Sequence, residues 1–506
     1  MRKAVFFLFV SAMLLSLLTG CGTNSGSSSS ASSSASSMGT VPVSLTMTDD
    51  PPAGVTVLFF QVSLTDASLM PASGAAVSLL NTNTPIQVDV TQLQALSAFL
   101  STANVPAGTY DSLSLTFGSP QLVIFNASDQ AIASTCAVGS VCQPTPTLDN
   151  SATVTFSTAP FPVTVAANSP LGFLIDFHLN TVIQSDLSVN LGVANGVTVS
   201  QLPPVAPSYF PQFGFLTGTV QSVNATQNQF MVQTAWGRTF TIDSNSSTAY
   251  DDFPSSVCAT GSISCLVAGQ IVQVQIASIG ADGTLLASQV TYLQAAGQQT
   301  AEGTIVGLST SNGTTVMKLI LHKDPSNNSG LPLGGEASVA IGSGATFSVD
   351  ANGFAIPVGL SFTGVSNLLV GQEVQFNVVA GSLNTSSGQG ILGIWGPPRS
   401  LSFTTDGVEL EPSQITGSIT ALNSGTASFT VGNYFAPWPF AVSNPAQVNV
   451  QTTSQTTYVG FSLDSFSGLD VNNIVSVSGW LFPPASGTTP PTLAAETVVL
   501  RTDGMF

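Results

Sequence analysis

Two arrangements of apolar residues divide the chain. Residues 4–18 (AVFFLFVSAMLLSLL) are apolar apart from Ser11 and Ser16 and show no period. From Val41 onward, apolar and polar residues alternate in short stretches that stop at proline, glycine or asparagine, which is the two-residue period of β-strands. Residues 41–50 alternate and then meet Pro51 and Pro52, so they predict a strand that ends in a turn, because proline cannot continue a ladder. Residues 55–67 predict a second strand, and residues 75–80 and 86–90 a hairpin around Asn81, Thr82 and Asn83. Strands are also predicted over 113–117, 122–125, 152–156, 161–165 and 171–179. One helix is expected among them, since Thr91 and Gln94 suit a capping box and Leu93, Leu96, Phe99 and Leu100 then share a helical face. Residues 41–208 therefore read as a β-sandwich carrying one short helix.

Beyond residue 214 the alternation repeats. Three segments open alike, with GTVQSV at 218–223, GTIVGL at 303–308 and GSITAL at 417–422. Each is followed by a second shared string: LVAGQIVQV at 266–274, LLVGQEVQF at 368–376 and LDVNNIVSV at 469–477. Gly269, Gly371 and Asn472 hold one position in that string, and these residue types tolerate a left-handed turn. Five or six short strands per repeat suggest a small closed barrel, which hides its edges. The repeats are placed at 214–296, 301–400 and 414–503, so the fold class is all-β: a sandwich followed by about three barrel-like repeats.

The N-terminal run has a different meaning. Arg2 and Lys3 precede it, and its roughly 15 residues fall short of the ~20 that a spanning helix needs, so it is expected to be removed. It ends in Leu18-Thr19-Gly20-Cys21, which resembles the lipobox of bacterial lipoproteins. That resemblance implies a signal peptide over 1–20, diacylglycerol on Cys21 and a membrane anchor. Gly22 and Thr23 are not acidic, which in such lipoproteins points toward the outer membrane. Residues 21–40 are nearly all Ser, Gly and Ala, so they are expected to form a flexible tether.

The sandwich region also resembles a known family. Its strand ending in TDDP at 48–51, VDVTQL at 88–93, VPAGTY at 105–110 and LIDFHL at 174–179 are similar to domain of unknown function 4382 of bacterial and archaeal lipoproteins. Asp50 departs from that pattern, where alanine is common. The opening glycine strings and the Gly-Gln strings of the repeats resemble domain of unknown function 5666 of bacterial envelope proteins, most clearly in the first repeat. Both resemblances imply location and neither implies an activity.

Charge narrows the partners. Only 6% of residues are charged, against about 25% in soluble domains. Once Arg2 and Lys3 are removed with the leader, five basic residues face 25 acidic ones, so nucleic acid is not an expected partner. Besides Cys21 there are two close pairs, Cys136 with Cys142 and Cys258 with Cys265. Three connectivities are possible, and the two local ones are preferred because each pair brackets a short turn-like stretch. No metal site or cofactor is expected, since neither pair has C-x-x-C spacing or a histidine nearby.

The search for chemistry gives little. His178 reads as a residue at a sandwich edge, and His322, beside Lys323, as a solvated loop residue. Asp49 with Asp50 and Asp251 with Asp252 suit turns better than catalysis or calcium binding. Among Trp236, Trp395, Trp438, Trp480 and Tyr434, the best candidate for stacking on a sugar is Trp438 with Tyr434, within YFAPWPF at 434–440. The expectation is a lipid-anchored envelope protein acting as a non-enzymatic binding or structural module for polysaccharide or another surface protein. A carbohydrate-active enzyme with an unidentified carboxylate pair is the alternative.

Overall fold

The alternating strings fold as sheets, and the places where alternation fails are strands buried on both faces. The computed structural model describes residues 40–501, except 51–55, 81–83, 94–96, 119, 127–130, 132–135, 145, 149–151, 168, 185, 203–213, 236, 252, 255–257, 259–260, 296–299, 324–332, 352, 387–399, 433–446, 461–462, 464 and 485–489. The expected signal peptide, Cys21, Tyr434 and Trp438 lie outside the described residues, as does the tether apart from Thr40.

The N-terminal domain is a sandwich of two sheets. The first contains β1 (Thr40–Asp50), β5 (Ala98–Pro106), β11 (Leu171–His178) and β12 (Val197–Leu202) in the order β12-β11-β1-β5. The second is built on β2 (Thr56–Pro71), with β3 (Val77–Ser78), β4 (Ile86–Asp89), β6 (Gly108–Phe117) and β7 (Gln121–Phe125) paired to it. β8 (Val141–Cys142), β9 (Thr153–Phe156) and β10 (Val163–Val165) extend that sheet. Val41, Val43, Leu45 and Met47 point into the core between the sheets, as the alternation requires.

Three expectations are corrected here. β3 and β4 do not pair with each other as a hairpin; each pairs with a different part of the long strand β2. The predicted helix over 91–100 is a 3-10 turn at Val90–Leu93 followed by strand β5. Among the described residues, the one short α-helix is Leu179–Val182. Phe99 and Leu100 resemble a helical face because both are buried, but they face opposite ways, Leu100 into the sandwich and Phe99 into the core of the first barrel. Leu174 and Leu202 join Phe99 there, so the first sheet is covered on both faces. This cover also buries Ser44 and Thr46, two polar residues of β1.

Each repeat is a closed five-stranded barrel. The first contains β13 (Phe215–Asn224), β14 (Gln229–Gln233), β15 (Thr239–Asp243), β17 (Ile271–Ile279) and β18 (Leu285–Gln294), with β16 (Ala249–Asp251) added beside β18. The second contains β19 (Thr300–Ser311), β20 (Thr314–Lys323), β21 (Glu336–Val349), β22 (Glu373–Asn377) and β24 (Ser400–Glu411), with β23 (Asn384–Ser386) on β24. The third contains β25 (Ser413–Asn423), β26 (Ser428–Gly432), β27 (Gln447–Gln451), β29 (Ile474–Phe482) and β30 (Thr492–Arg501), with β28 (Thr457–Val459) on β30. The second barrel thus extends past residue 400, because its closing strand is 400–411.

In all three barrels, the first strand pairs antiparallel with the second and the fourth, and the third pairs parallel with the fifth. A 3-10 turn precedes the fourth strand each time, at Ile263–Cys265, Val365–Asn367 and Phe466–Gly468. This is the five-stranded Greek-key barrel of the OB fold.

The two signature strings of each repeat meet in space. A bulge follows each opening glycine, after Val220, Ile305 and Ile419. At the bulge, Val220 N–H donates to the Gln270 carbonyl and Gly269 N–H donates back to the Val220 carbonyl, both at 2.8 Å. Ile305 makes the same exchange with Gln372 and Gly371, and Ile419 with Asn473 and Asn472. Gly269, Gly371 and Asn472 have φ of 93°, 95° and 72°, the left-handed conformation expected of them. A Cβ on Gly303 would lie 2.3 Å from the Ile320 carbonyl, so this opening position excludes any side chain.

The amide side chain in the second string then locks the loop. Gln372 is fully buried; its Oε1 accepts from Leu369 N–H at 2.7 Å, and its Nε2 donates to the carbonyls of Asn367 at 3.0 Å and Leu481 at 2.8 Å. The last bond crosses from the second barrel into the third. Gln372→Ala is expected to cost about 2–4 kcal/mol, because it strands buried backbone groups, whereas Asn473→Ala, which loses one part-exposed bond, should cost about 1 kcal/mol. Denaturant melts of the two variants against the parent check this ranking.

Candidate functional site

Strand β20 runs Thr314–Lys323 and alternates, with Met317, Leu319 and Leu321 facing the second barrel's core. Ile320 and His322 therefore point outward, but not to water. Ile320 packs with Leu58, Phe59 and Val123 of the N-terminal domain in a small separate core. The His322 ring lies 6.0 Å from that of Phe59. The reading of His322 as a solvated loop residue is thus overturned: its side chain is 7% exposed and sits in a strand against another domain.

Both ring nitrogens are engaged. Nδ1 lies 2.6 Å from Asp89 Oδ2, and Nε2 lies 2.9 Å from Thr304 Oγ1 and 3.7 Å from Glu373 Oε1. The Thr304 hydroxyl donates to Glu373 in a short bond. With His322 protonated, donation runs outward from the ring: His322 donates to Asp89 on one side and to Thr304 on the other, and Thr304 donates on to Glu373. Burial pulls the His322 pKa down, but Glu373 and Asp89, with Glu302 behind them, outweigh it and hold the imidazolium to about 9. The Glu373 carboxyl is raised by burial, against the pull of His322 and Thr304.

Asp89 is positioned by its own segment. It ends β4, and its Oδ1 accepts from the backbone and hydroxyl of Thr91, within the 3-10 turn, leaving Oδ2 for His322. One turn further, the Gln92 carbonyl accepts from Gln414 Nε2 at 2.8 Å, at the start of the third barrel. The string VDVTQL at 88–93 thus joins the N-terminal domain to two barrels at once.

Beside this contact lies a cavity of about 290 Å³ lined from the N-terminal domain and all three barrels. Glu302, Asp350, Glu373, Glu411 and Glu496 line it with Lys323 and His322. The chain has six glutamates, at 302, 336, 373, 409, 411 and 496, and four of them converge here. Lys323 Nζ pairs with Glu302 at 2.5 Å. Burial pushes the Glu411 carboxyl well up, with Asp350, Glu302 and Glu409 adding to the shift and Lys323 opposing it. Burial and then Asp350 push Glu496 up to about 7. None of these carboxylates was singled out from the sequence; the signal was there in a residue type confined to 302–496.

The other sequence candidates fall elsewhere. The cysteines pair locally, Cys136 with Cys142 and Cys258 with Cys265, as preferred. His178 ends β11, with Nε2 3.8 Å from Asp176 Oδ2. Asp49 and Asp50 belong to the end of β1 rather than to a turn, and Asp251 lies in β16; Asp252 lies outside the described residues. Trp480 is removed as a sugar-stacking candidate: it is fully buried, packs on Phe354 at 5.0 Å and donates to the Asp350 carbonyl at 2.7 Å. Trp236 and Trp395, like Trp438 and Tyr434, lie outside the described residues. Among the described residues, no group of three or more His, Cys, Asp and Glu is placed to hold a metal ion, and no helix is long and apolar enough to cross a membrane.

Fold and junction together define an all-β protein in which one sandwich and three OB-type barrels close on a shared acidic cavity. Residues 39–192 match the family model described as Domain of unknown function (DUF4382), and residues 217–291 and 416–481 each match Domain of unknown function (DUF5666). One stretch of the chain thus resembles the first family and two resemble the second, and the barrel between the two matched repeats shares their topology. No curated protein matches the chain.

Because the folded-state His322 titrates above its unfolded value of about 6.5, its stabilising share is complete below that pH and is lost as pH rises through about 9. Asp89→Asn removes the partner of a buried charge, so a loss of about 3–5 kcal/mol is expected at pH 7, shrinking above pH 9. Denaturant midpoints of parent and variant at the two pH values check both magnitude and sign.

Proposed function

We propose that the chain is a cell-envelope lipoprotein, anchored through lipid on Cys21 in the outer membrane, whose β-body is a non-enzymatic binding or structural module for polysaccharide or another surface protein. The observation that carries the reading of the body is the use made of its titratable side chains. His322 has both nitrogens committed, Nδ1 to Asp89 of the N-terminal domain and Nε2 to Thr304 of its own barrel, so it works as a fastener and has no nitrogen left to move a proton on a substrate. Barrels of the OB type also offer oligosaccharide-binding faces, and a net charge of −18 disfavours the nucleic acids that others bind. The anchor rests on the basic start, the apolar run over 4–18 and LTGC at 18–21.

Metabolic labelling with a fatty-acid analogue tests the anchor: the parent is expected to take up label and Cys21→Ser to take up none. Equal labelling of the two would end that part of the reading.

A specific observation favours a second reading, a carbohydrate-active enzyme. Glu411 and Glu496, both raised, share the cavity with Asp350, and a proton-holding carboxyl near an ionised one is what glycosidases use. Incubation with the organism's envelope polysaccharide separates the two. Binding without new reducing ends, weakened at least several-fold by Trp438→Ala, is expected. Turnover that vanishes in Glu496→Gln would establish the enzyme instead.

A further inference from the structure

The acidic cavity raises a separate question, because so few charges are spent elsewhere. If every group lining it were ionised, five carboxylates would face two cations, Lys323 and His322. Lys323 is held by Glu302, and His322 by Asp89 and Glu373. Asp350, Glu411 and Glu496 share the remaining wall, and no further lysine, arginine or histidine is among its lining residues. These three come from two bodies: Asp350 and Glu411 belong to the second barrel and Glu496 to β30 of the third. Ionising them sets like charges across the junction that Gln372, Trp480 and Leu481 hold shut.

We propose that this cavity is a proton-operated clasp, closed while its carboxyls carry protons and loosened between the second and third barrels as they ionise.

A neutral amide is a polar neighbour of Glu411. Gln375 lies beside it, with Nε2 3.4 Å from Glu411 Oε1, while its Oε1 is buried without a partner. The charged groups facing each carboxyl are mostly acidic. Glu496 faces Asp350, whereas Glu411 faces Asp350, Glu302 and Glu409 against Lys323 alone. Glu373 faces Asp89 and Glu302 as well as His322. Raised carboxyls mean that the folded junction binds more protons than the unfolded chain, so its stability falls as pH rises from about 4.5 through about 7. Loss of the His322 charge, through about 9, then acts in the same direction on the N-terminal domain.

Thermal unfolding of the full chain in detergent micelles at pH 5.5, 7 and 8.5 tests the clasp. The parent is expected to lose several degrees of Tm from pH 5.5 to 8.5, and the double variant Glu411→Gln with Glu496→Gln to keep more than half of that loss away. Glu336→Gln, which removes an exposed partner of Lys318, should retain the parent's slope. Amide exchange corrected for its intrinsic pH dependence should show β30 losing protection at least ten-fold in the parent and not in the double variant. If the double variant is unfolded at pH 5.5, Asp350→Asn alone serves, because it removes the shared repelling neighbour and is expected to flatten the slope. A slope and an exchange pattern unchanged in the folded variant would overturn the proposal.

Discussion

The arrangement of domains depends on a line of four side chains, Asp89, His322, Thr304 and Glu373, drawn from two domains and buried where they meet. Taking charges out of water costs several kcal/mol each, and attraction repays it only when every donor and acceptor is satisfied. Here Asp89 divides its oxygens between the turn that follows it and His322, so local and long-range structure are fixed by one carboxylate. In a chain with so few charges, no second ionic contact of this kind is described between the sandwich and the second barrel. The apolar patch around Phe59 and Ile320 flanks the line on one side, with the Phe59 ring 6.0 Å from that of His322.

The barrels follow from a smaller constraint repeated three times. A bulge in the first strand frees one N–H and one carbonyl, and the loop before the fourth strand supplies the matching pair. That exchange needs a left-handed residue in the loop and, at Gly303, a bare Cα in the strand. Two strings more than forty residues apart are therefore one structural unit, which explains why they recur together. The amide that follows is reused: Gln270 closes only its own loop, whereas Gln372 also bonds the neighbouring barrel.

Much of this was legible in the sequence because it is local. The period-2 strings gave the strands, and Gly269, Gly371 and Asn472 announced their backbone conformation. What escaped was decided by burial from a distance. Phe99 and Leu100 look like neighbours on a helix only if one face is buried, and here both faces of the sheet are covered. Residues 75–80 and 86–90 have the spacing of a hairpin, but the length of β2 offers each of them a better partner. His322 beside Lys323 reads as surface until the N-terminal domain is laid over that strand. The glutamates of the cavity are scattered over nearly two hundred residues, and only closure of the second barrel and its packing against the third bring them together.

The position of β1 has a mechanical consequence. It begins at Thr40, where the described chain starts, and is flanked on one side by β11 in parallel and on the other by β5 in antiparallel register. A pull along the axis of this strand from the preceding segment is resisted in shear, so the ladders on both edges must fail together rather than one bond at a time. β5 also touches the first barrel through the pairing of Ala98 with Phe215, so part of such a force passes beyond the sandwich. A load carried along the chain into β1 is thus shared at once by both of its neighbours in the sheet.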